Sequence, residues 1–173
     1  MDYRNYIANI TDYPKKGIIF RDVTPLFKNS EAFNSCIDEL CEFAKEVGTE
    51  VIVAPESRGF ILAAAMAYKL KVGIVLARKP NKLPRETISV DYALEYGVNT
   101  LTMHKDSITP GEKVLVVDDL LATGGTINAC TELVNQLGGV VVGCGFIVEL
   151  VDLKGRNNLI NVPIKSLVTY EGE

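Results

Sequence analysis

Val114-Leu115-Val116-Val117-Asp118-Asp119-Leu120-Leu121-Ala122-Thr123-Gly124-Gly125-Thr126 decides the fold class of this chain. Four apolar residues run into two adjacent carboxylates, and a small-residue loop then leads into an amphipathic pattern. An all-apolar run suits a strand covered on both faces. The acids therefore sit at the carboxyl end of a buried strand, and the loop opens a helix. Asp118 and Asp119 cannot both enter an apolar core without partners, because buried unpaired charge is expensive. They must face solvent, a cation or a hydroxylated ligand. Carboxylates suit ribose hydroxyls as acceptors, and Mg²⁺ through water. Taken alone, the pair reads first as a solvated strand end, or Asp118 as a helix cap. The loop shifts that balance. Residues 122–126 offer backbone N–H groups, two hydroxyls and two glycines that let the backbone approach an anion. The following helix adds the positive end of its dipole. A sugar phosphate fits such a corner, with hydroxyls on the acids and phosphate on the loop.

Outward from this stretch the chain alternates strand and helix patterns. Ser30 is placed to cap a helix, with Glu31 in its first turn. Phe33, Ile37, Leu40, Cys41 and Ala44 recur at helical spacing, and Gly48 closes the run. Residues 51–54 and 73–77 are short apolar strands, with a helix over 59–70 between them. Residues 127–137 give one helix face, ended by Gly138-Gly139. Residues 140–148 and 164–168 give two more strands. Residues 1–28 read as irregular, broken by Pro14, Gly17 and Pro25. Residues 78–112 are polar, with weak strand character near 88–90 and 101–103. This alternation predicts an α/β fold, a twisted parallel sheet flanked by helices. Ligands in such sheets lie beyond the carboxyl ends of the strands. Three polar segments leave strands there, at 55–58, 78–82 and 118–126, and are expected to converge.

The 173 residues suit one domain, 47% apolar and 23% charged. A net charge of −4 with no basic cluster argues against a nucleic-acid surface. No apolar run approaches the ~20 residues of a membrane helix, and the N-terminus lacks a signal-peptide layout. Cys36, Cys41, Cys130 and Cys144 show no metal-ligand spacing and read as buried free thiols, which places the chain in the cytoplasm. His104, the single histidine, reads as a surface or satisfied residue. The apolar strand ending in Asp-Asp could serve a P-loop protein, but no Gly-x-x-x-x-Gly-Lys-Ser/Thr occurs. A dinucleotide fingerprint is also absent; Gly143-Cys144-Gly145 lies inside an apolar strand and lacks the third glycine.

Residues 114–126 resemble the phosphoribosyl-diphosphate (PRPP) motif of the type I phosphoribosyltransferases. Other segments, in order, resemble the adenine-using branch of that family: Ile18-Ile19-Phe20-Arg21-Asp22, Glu56-Ser57-Arg58-Gly59-Phe60, Arg78-Lys79, Lys82-Leu83-Pro84, Tyr92-Ala93-Leu94-Glu95-Tyr96-Gly97 and Leu153-Lys154-Gly155-Arg156. The resemblance spans about residues 14–171. It implies the type I phosphoribosyltransferase fold as a single domain over 1–173, with a hood at about 1–28 and a mobile flap at about 81–97.

The implied reaction joins adenine to the ribose of PRPP, giving AMP and pyrophosphate. Mg²⁺ would be carried by PRPP and waters, with no direct protein ligand. Asp118 and Asp119 match acids that hold the ribose hydroxyls. Ala122, Thr123, Gly124, Gly125 and Thr126 match the 5′-phosphate loop. Glu56, Ser57 and Arg58 match the pyrophosphate turn, with a cis peptide joining Glu56 and Ser57. Arg78 and Lys79 match a basic pair that reaches pyrophosphate near a homodimer interface. Glu95 matches the flap carboxylate that handles a purine proton, and with Arg58 forms the implied catalytic pair. Backbone groups of Ile19 and Arg21, the ring of Phe20 and the side chain of Leu150 match the adenine pocket. Two other readings stand beside this one: the same transfer to another purine base, and a PRPP-binding regulator without turnover.

Overall fold

Short apolar runs bounded by glycine and polar turns produce nine strands and four α-helices among the described residues, 1–93 and 97–172, of the computed structural model. In chain order they are β1 Ala8–Thr11, β2 Ile19–Asp22, α1 Thr24–Lys28, α2 Ser30–Glu46, β3 Val51–Pro55, α3 Gly59–Leu70, β4 Gly73–Ala77, β5 Thr87–Ala93, β6 Val98–His104, β7 Lys113–Leu121, α4 Gly125–Gln136, β8 Val140–Leu150 and β9 Ile164–Tyr170. Short 3-10 turns lie at Tyr3–Tyr6, Val151–Leu153 and Gly155–Asn158. Five strands form one parallel sheet in the order β4-β3-β7-β8-β9.

Both faces of that sheet are covered, and successive residues of β3 and β7 point to opposite faces. Ile52, Ala54, Leu115 and Val117 join α2 and α3 in one buried cluster. Val51, Val53, Val114 and Val116 join α4 and the β5–β6 hairpin in a second. This two-sided burial explains why the sheet strands read as continuous apolar runs rather than alternating ones.

Three local features differ from the sequence expectation. Residues 1–28 are not irregular: β1 and β2 pair antiparallel, from Ala8 opposite Asp22 to Thr11 opposite Ile19. Both strands are half-covered at best and have no buried face, so the period-two signal that reveals a strand is absent. The cap of α2 is Asn29, whose Oδ1 accepts from the Ala32 N–H at 2.9 Å; Ser30 is the first helical residue. The weak strand character within 78–112 becomes a full hairpin, β5 with β6, tied down by buried Val90, Leu101 and Met103.

All four cysteines are free and buried. His104, at the end of β6, accepts from the Arg85 N–H through Nε2 at 3.3 Å and does not line the cavity described below. Among the described residues, no helix is long and apolar enough to cross a membrane.

Candidate active site at the carboxyl ends of β3 and β7

β3 and β7 are neighbours in the sheet, so the segments leaving their carboxyl ends emerge side by side. The three polar segments expected to converge do so. Glu56, Ser57 and Arg58 after β3, Lys79 after β4, and Asp118, Asp119 and Thr126 around the end of β7 line one cavity of about 330 Å³. A second cavity of about 190 Å³ adjoins it, lined by Arg58, Asp118, Asp119 and the whole of residues 120–127. Tyr92 and Leu101 of the hairpin also line the first cavity. Neither was singled out as a site residue from the sequence; a tyrosine within the polar 81–97 segment was the available signal.

The acids differ in environment. Asp119 is 4% exposed, and Arg58 Nε donates to its Oδ2 at 2.5 Å. Asp118 is half-buried and its Oδ1 accepts from the Asp119 N–H at 2.9 Å. Desolvation, then the neighbouring Asp119 charge, push the Asp118 carboxyl well above the usual range, and the Arg58 guanidinium only partly offsets them. α3 begins hard against this carboxylate: a Cβ on Gly59 would lie 3.0 Å from Asp118 Oδ1 and 3.2 Å from the Val117 carbonyl oxygen. Position 59 therefore has room for glycine alone without movement of the acid.

The raised Asp118 pKa has a defined sign in stability. The folded protein holds this proton more tightly than the unfolded chain, so its contribution is favourable at low pH. It is lost as pH rises from about 4, the unfolded value, through the folded one. Asp118→Asn keeps the acceptor for the Asp119 N–H and removes the charge. The variant should match the wild type in stability near pH 4 and exceed it increasingly towards neutrality. Denaturant titrations across that range check this; a constant gap would mean that Asp118 charges as easily folded as unfolded.

The basic side of the cavity is organised by Glu56. Its Oε1 accepts from Arg78 Nε at 3.2 Å and from the Lys79 N–H at 2.9 Å. Burial alone would raise the Glu56 carboxyl, but these donors outweigh it and hold it below its ordinary value. Arg78 is thus held by Glu56, whereas Lys79 lines the cavity. The peptide joining Glu56 and Ser57 is cis.

The loop after β7 turns at Gly124, which has φ +84° and precedes α4 with no side-chain cap. The first N–H groups of α4 are left facing the smaller cavity, which Thr123, Gly124, Gly125 and Thr126 line. Such uncapped donors at a helix start suit an anion.

The residues assigned to a base pocket lie at the same end of the sheet but outside the lining of both cavities. Ile19, Phe20 and Arg21 are on β2, and Phe20 meets Tyr13 edge-on at 5.3 Å between centroids. Arg21 stacks over the Tyr170 ring at 4.0 Å and donates to Asn9 Oδ1 at 2.7 Å. Tyr170 in turn is paired with Leu150, at the end of β8. Asp22, closing β2, is among the charges acting on Arg58. Glu95 lies outside the described residues.

A parallel sheet whose central strand ends in two acids and an amide-lined loop defines a class, and residues 27–158 match the phosphoribosyl transferase domain family. The chain belongs to that family and has the type I phosphoribosyltransferase fold. It is 52% identical over 172 residues to the adenine phosphoribosyltransferase of Lactobacillus gasseri, spanning 99% of this chain and 98% of that one. The solved adenine phosphoribosyltransferase of Thermoanaerobacter pseudethanolicus superposes with a TM-score of 0.94 at 47% identity, over 98% of both chains. That of Saccharomyces cerevisiae, complexed with an imino-altritol bisphosphate and adenine, gives 0.90 at 37% identity over 96% of this chain and 97% of that one. More narrowly, then, the chain is a member of the adenine phosphoribosyltransferase family.

Proposed function

We propose that the chain transfers the phosphoribosyl group of PRPP to N9 of adenine, releasing AMP and pyrophosphate. One observation carries this reading beyond family membership: Asp118, the Arg58-bound Asp119 and the start of α4, which has no side-chain cap, line two adjoining cavities. Asp118 and Asp119 accept from the ribose 2′- and 3′-hydroxyls. The N–H groups and hydroxyls of residues 122–126 hold the 5′-phosphate. Arg58, Ser57 and Lys79 face the pyrophosphate, while Glu56 keeps Arg78 and Lys79 in place. Among the described residues no cluster of three or more metal-ligating side chains occurs. The Asp118 and Asp119 carboxylates would reach Mg²⁺ carried by PRPP through waters, and the ion would supply charge to offset the pyrophosphate.

The C1′–oxygen bond to pyrophosphate breaks through a loose, cationic transition state, by analogy with other glycosyl transfers. Arg58 stabilises the departing charge. The C1′–N9 bond forms as the N9 proton passes to Glu95. Adenine stacks on Phe20 with Leu150 on its other face. Backbone groups of Ile19 and Arg21, on β2, meet the adenine edge. A carbonyl accepting from the 6-amino group and an N–H donating to N1 would leave a 6-oxopurine doubly unpaired. Residues 81–97 act as the flap and residues 1–28 as the hood of a single domain. Arg78 and Lys79 lie near the contact of a homodimer in the cytoplasm, where four free thiols persist.

Incubating the protein with Mg²⁺, PRPP and each purine base tests this. AMP should form from adenine, with hypoxanthine, guanine and xanthine poor competitors. Binding of PRPP without AMP formation would instead make the chain a sensor. Glu95→Gln should lower kcat about a hundredfold, as loss of a general base does, and leave PRPP affinity nearly intact. An unchanged kcat removes Glu95 from the proton's path.

A further inference from the structure

Leu153-Lys154-Gly155-Arg156 belongs to the resemblance, yet the reaction above gives this segment no task. In the structure it lies against the underside of the 122–126 loop. Asn158 Nδ2 donates to the Thr123 carbonyl oxygen at 2.7 Å. Gly155 is buried, and a Cβ on it would overlap the Ala122 carbonyl oxygen and come 2.9 Å from Leu121 Cδ1. From the other side, a Cβ on Gly124 would lie 2.6 Å from the Gly155 carbonyl oxygen. The two glycines thus meet backbone to backbone.

The segment is anchored independently of the loop. Arg156 donates Nε and Nη2 to the two oxygens of buried Glu149 on β8, at 2.5 and 2.6 Å. Ser166 on β9 donates to the same carboxylate at 2.6 Å. Leu159, 5% exposed, plugs into the second core cluster just beyond Asn158. The buttress is therefore tied to the sheet at both ends, and the loop leans on it.

We infer that Asn158 and Gly155 are positioning residues that fix the 5′-phosphate loop in its anion-binding shape. Neither residue lines the site. The amide of Asn158 takes the outward carbonyl of Thr123, which leaves the loop's N–H groups turned to the cavity. Gly155 sets how closely the loop can approach the sheet. The inference rests on the proposed function, since it assigns those N–H groups to a phosphate.

Calorimetric titration of ribose 5-phosphate and, separately, of pyrophosphate tests it on the unsubstituted protein and two variants, with steady-state kinetics alongside. Asn158 is exposed, so Asn158→Ala should fold normally. It should weaken ribose 5-phosphate about three- to tenfold, the scale of one hydrogen bond. Pyrophosphate affinity and kcat should stay put while the KM for PRPP rises. Asn158→Gln, which keeps the amide donor, should recover part of the loss. Equal binding of ribose 5-phosphate by Asn158→Ala and the unsubstituted protein overturns the inference, as does a parallel loss for both ligands. If the unsubstituted protein binds no ribose 5-phosphate at all, the proposed function falls first and the inference with it.

Discussion

Gly124→Ala should weaken PRPP binding about a thousandfold, while the sheet and both core clusters stay folded. Two independent costs combine at this position. With φ at +84°, an L-residue sits in the left-handed region, at about 1–2 kcal/mol. Its new methyl would also stand 2.6 Å from the Gly155 carbonyl oxygen, an overlap that only backbone movement relieves. Overpacking of this kind costs about 1–3 kcal/mol. Gly155 is held in place by its neighbour Arg156, which is fixed to buried Glu149 on β8 at 2.5 and 2.6 Å. The relief must come from the loop, which opens away from the buttress and disperses the N–H groups at the start of α4. Titration of PRPP–Mg²⁺ reads the loss directly, and adenine binding serves as the internal control. Retained PRPP affinity would show that the loop does not hold the phosphate.

Arg58→Ala should lower kcat/KM by about a thousandfold and destabilise the free protein as well. The two effects have separate origins. Asp119, 4% exposed, loses the guanidinium that donates to it at 2.5 Å. Breaking a buried ion pair by removing one partner costs about 3–5 kcal/mol; with Arg58 itself 47% exposed, the lower end applies. Asp119 would then stand beside Asp118 with nothing between them to offset charge. Two carboxylates so placed cannot both ionise easily. Without the guanidinium that lowers it, the Asp118 carboxyl holds its proton still more tightly in the folded variant, whose stability should fall further behind the wild type as pH rises above about 4. The activity loss reflects the donor removed from the departing pyrophosphate, worth about a hundredfold or more for one such group. Denaturant melts across pH check the first effect and steady-state kinetics the second. A variant with full activity would remove Arg58 from the leaving-group role; unchanged stability would show that Asp119 is satisfied by solvent.

Much of the site was legible because its residue types are costly elsewhere. Asp118 and Asp119 ending an apolar strand can be tolerated only at an opening, and the small residues at 122–126 make a close turn. The convergence of the three segments followed from a parallel sheet alone, since its strands deliver their exits to one edge. Other parts left no local trace. β1 and β2 bury no face, and their pairing depends on each other rather than on periodicity. Tyr92 and Leu101 reach the cavity only because the β5–β6 hairpin folds back over it. The cap of α2 fell to Asn29 rather than Ser30, neighbouring residues of equal capping ability that only backbone geometry separates.

The linear chain by itself determined the parallel sheet, its two covered faces and the opening at the end of β7 where two acids stand, because apolar runs and adjacent acids admit few arrangements. Which groups touch was decided only in three dimensions. Arg58 meets Asp119 across 61 positions, and Asn158 meets Thr123 across 35. Such pairings depend on how adjacent strands and crossovers stack, a long-range packing outcome that no window of sequence contains.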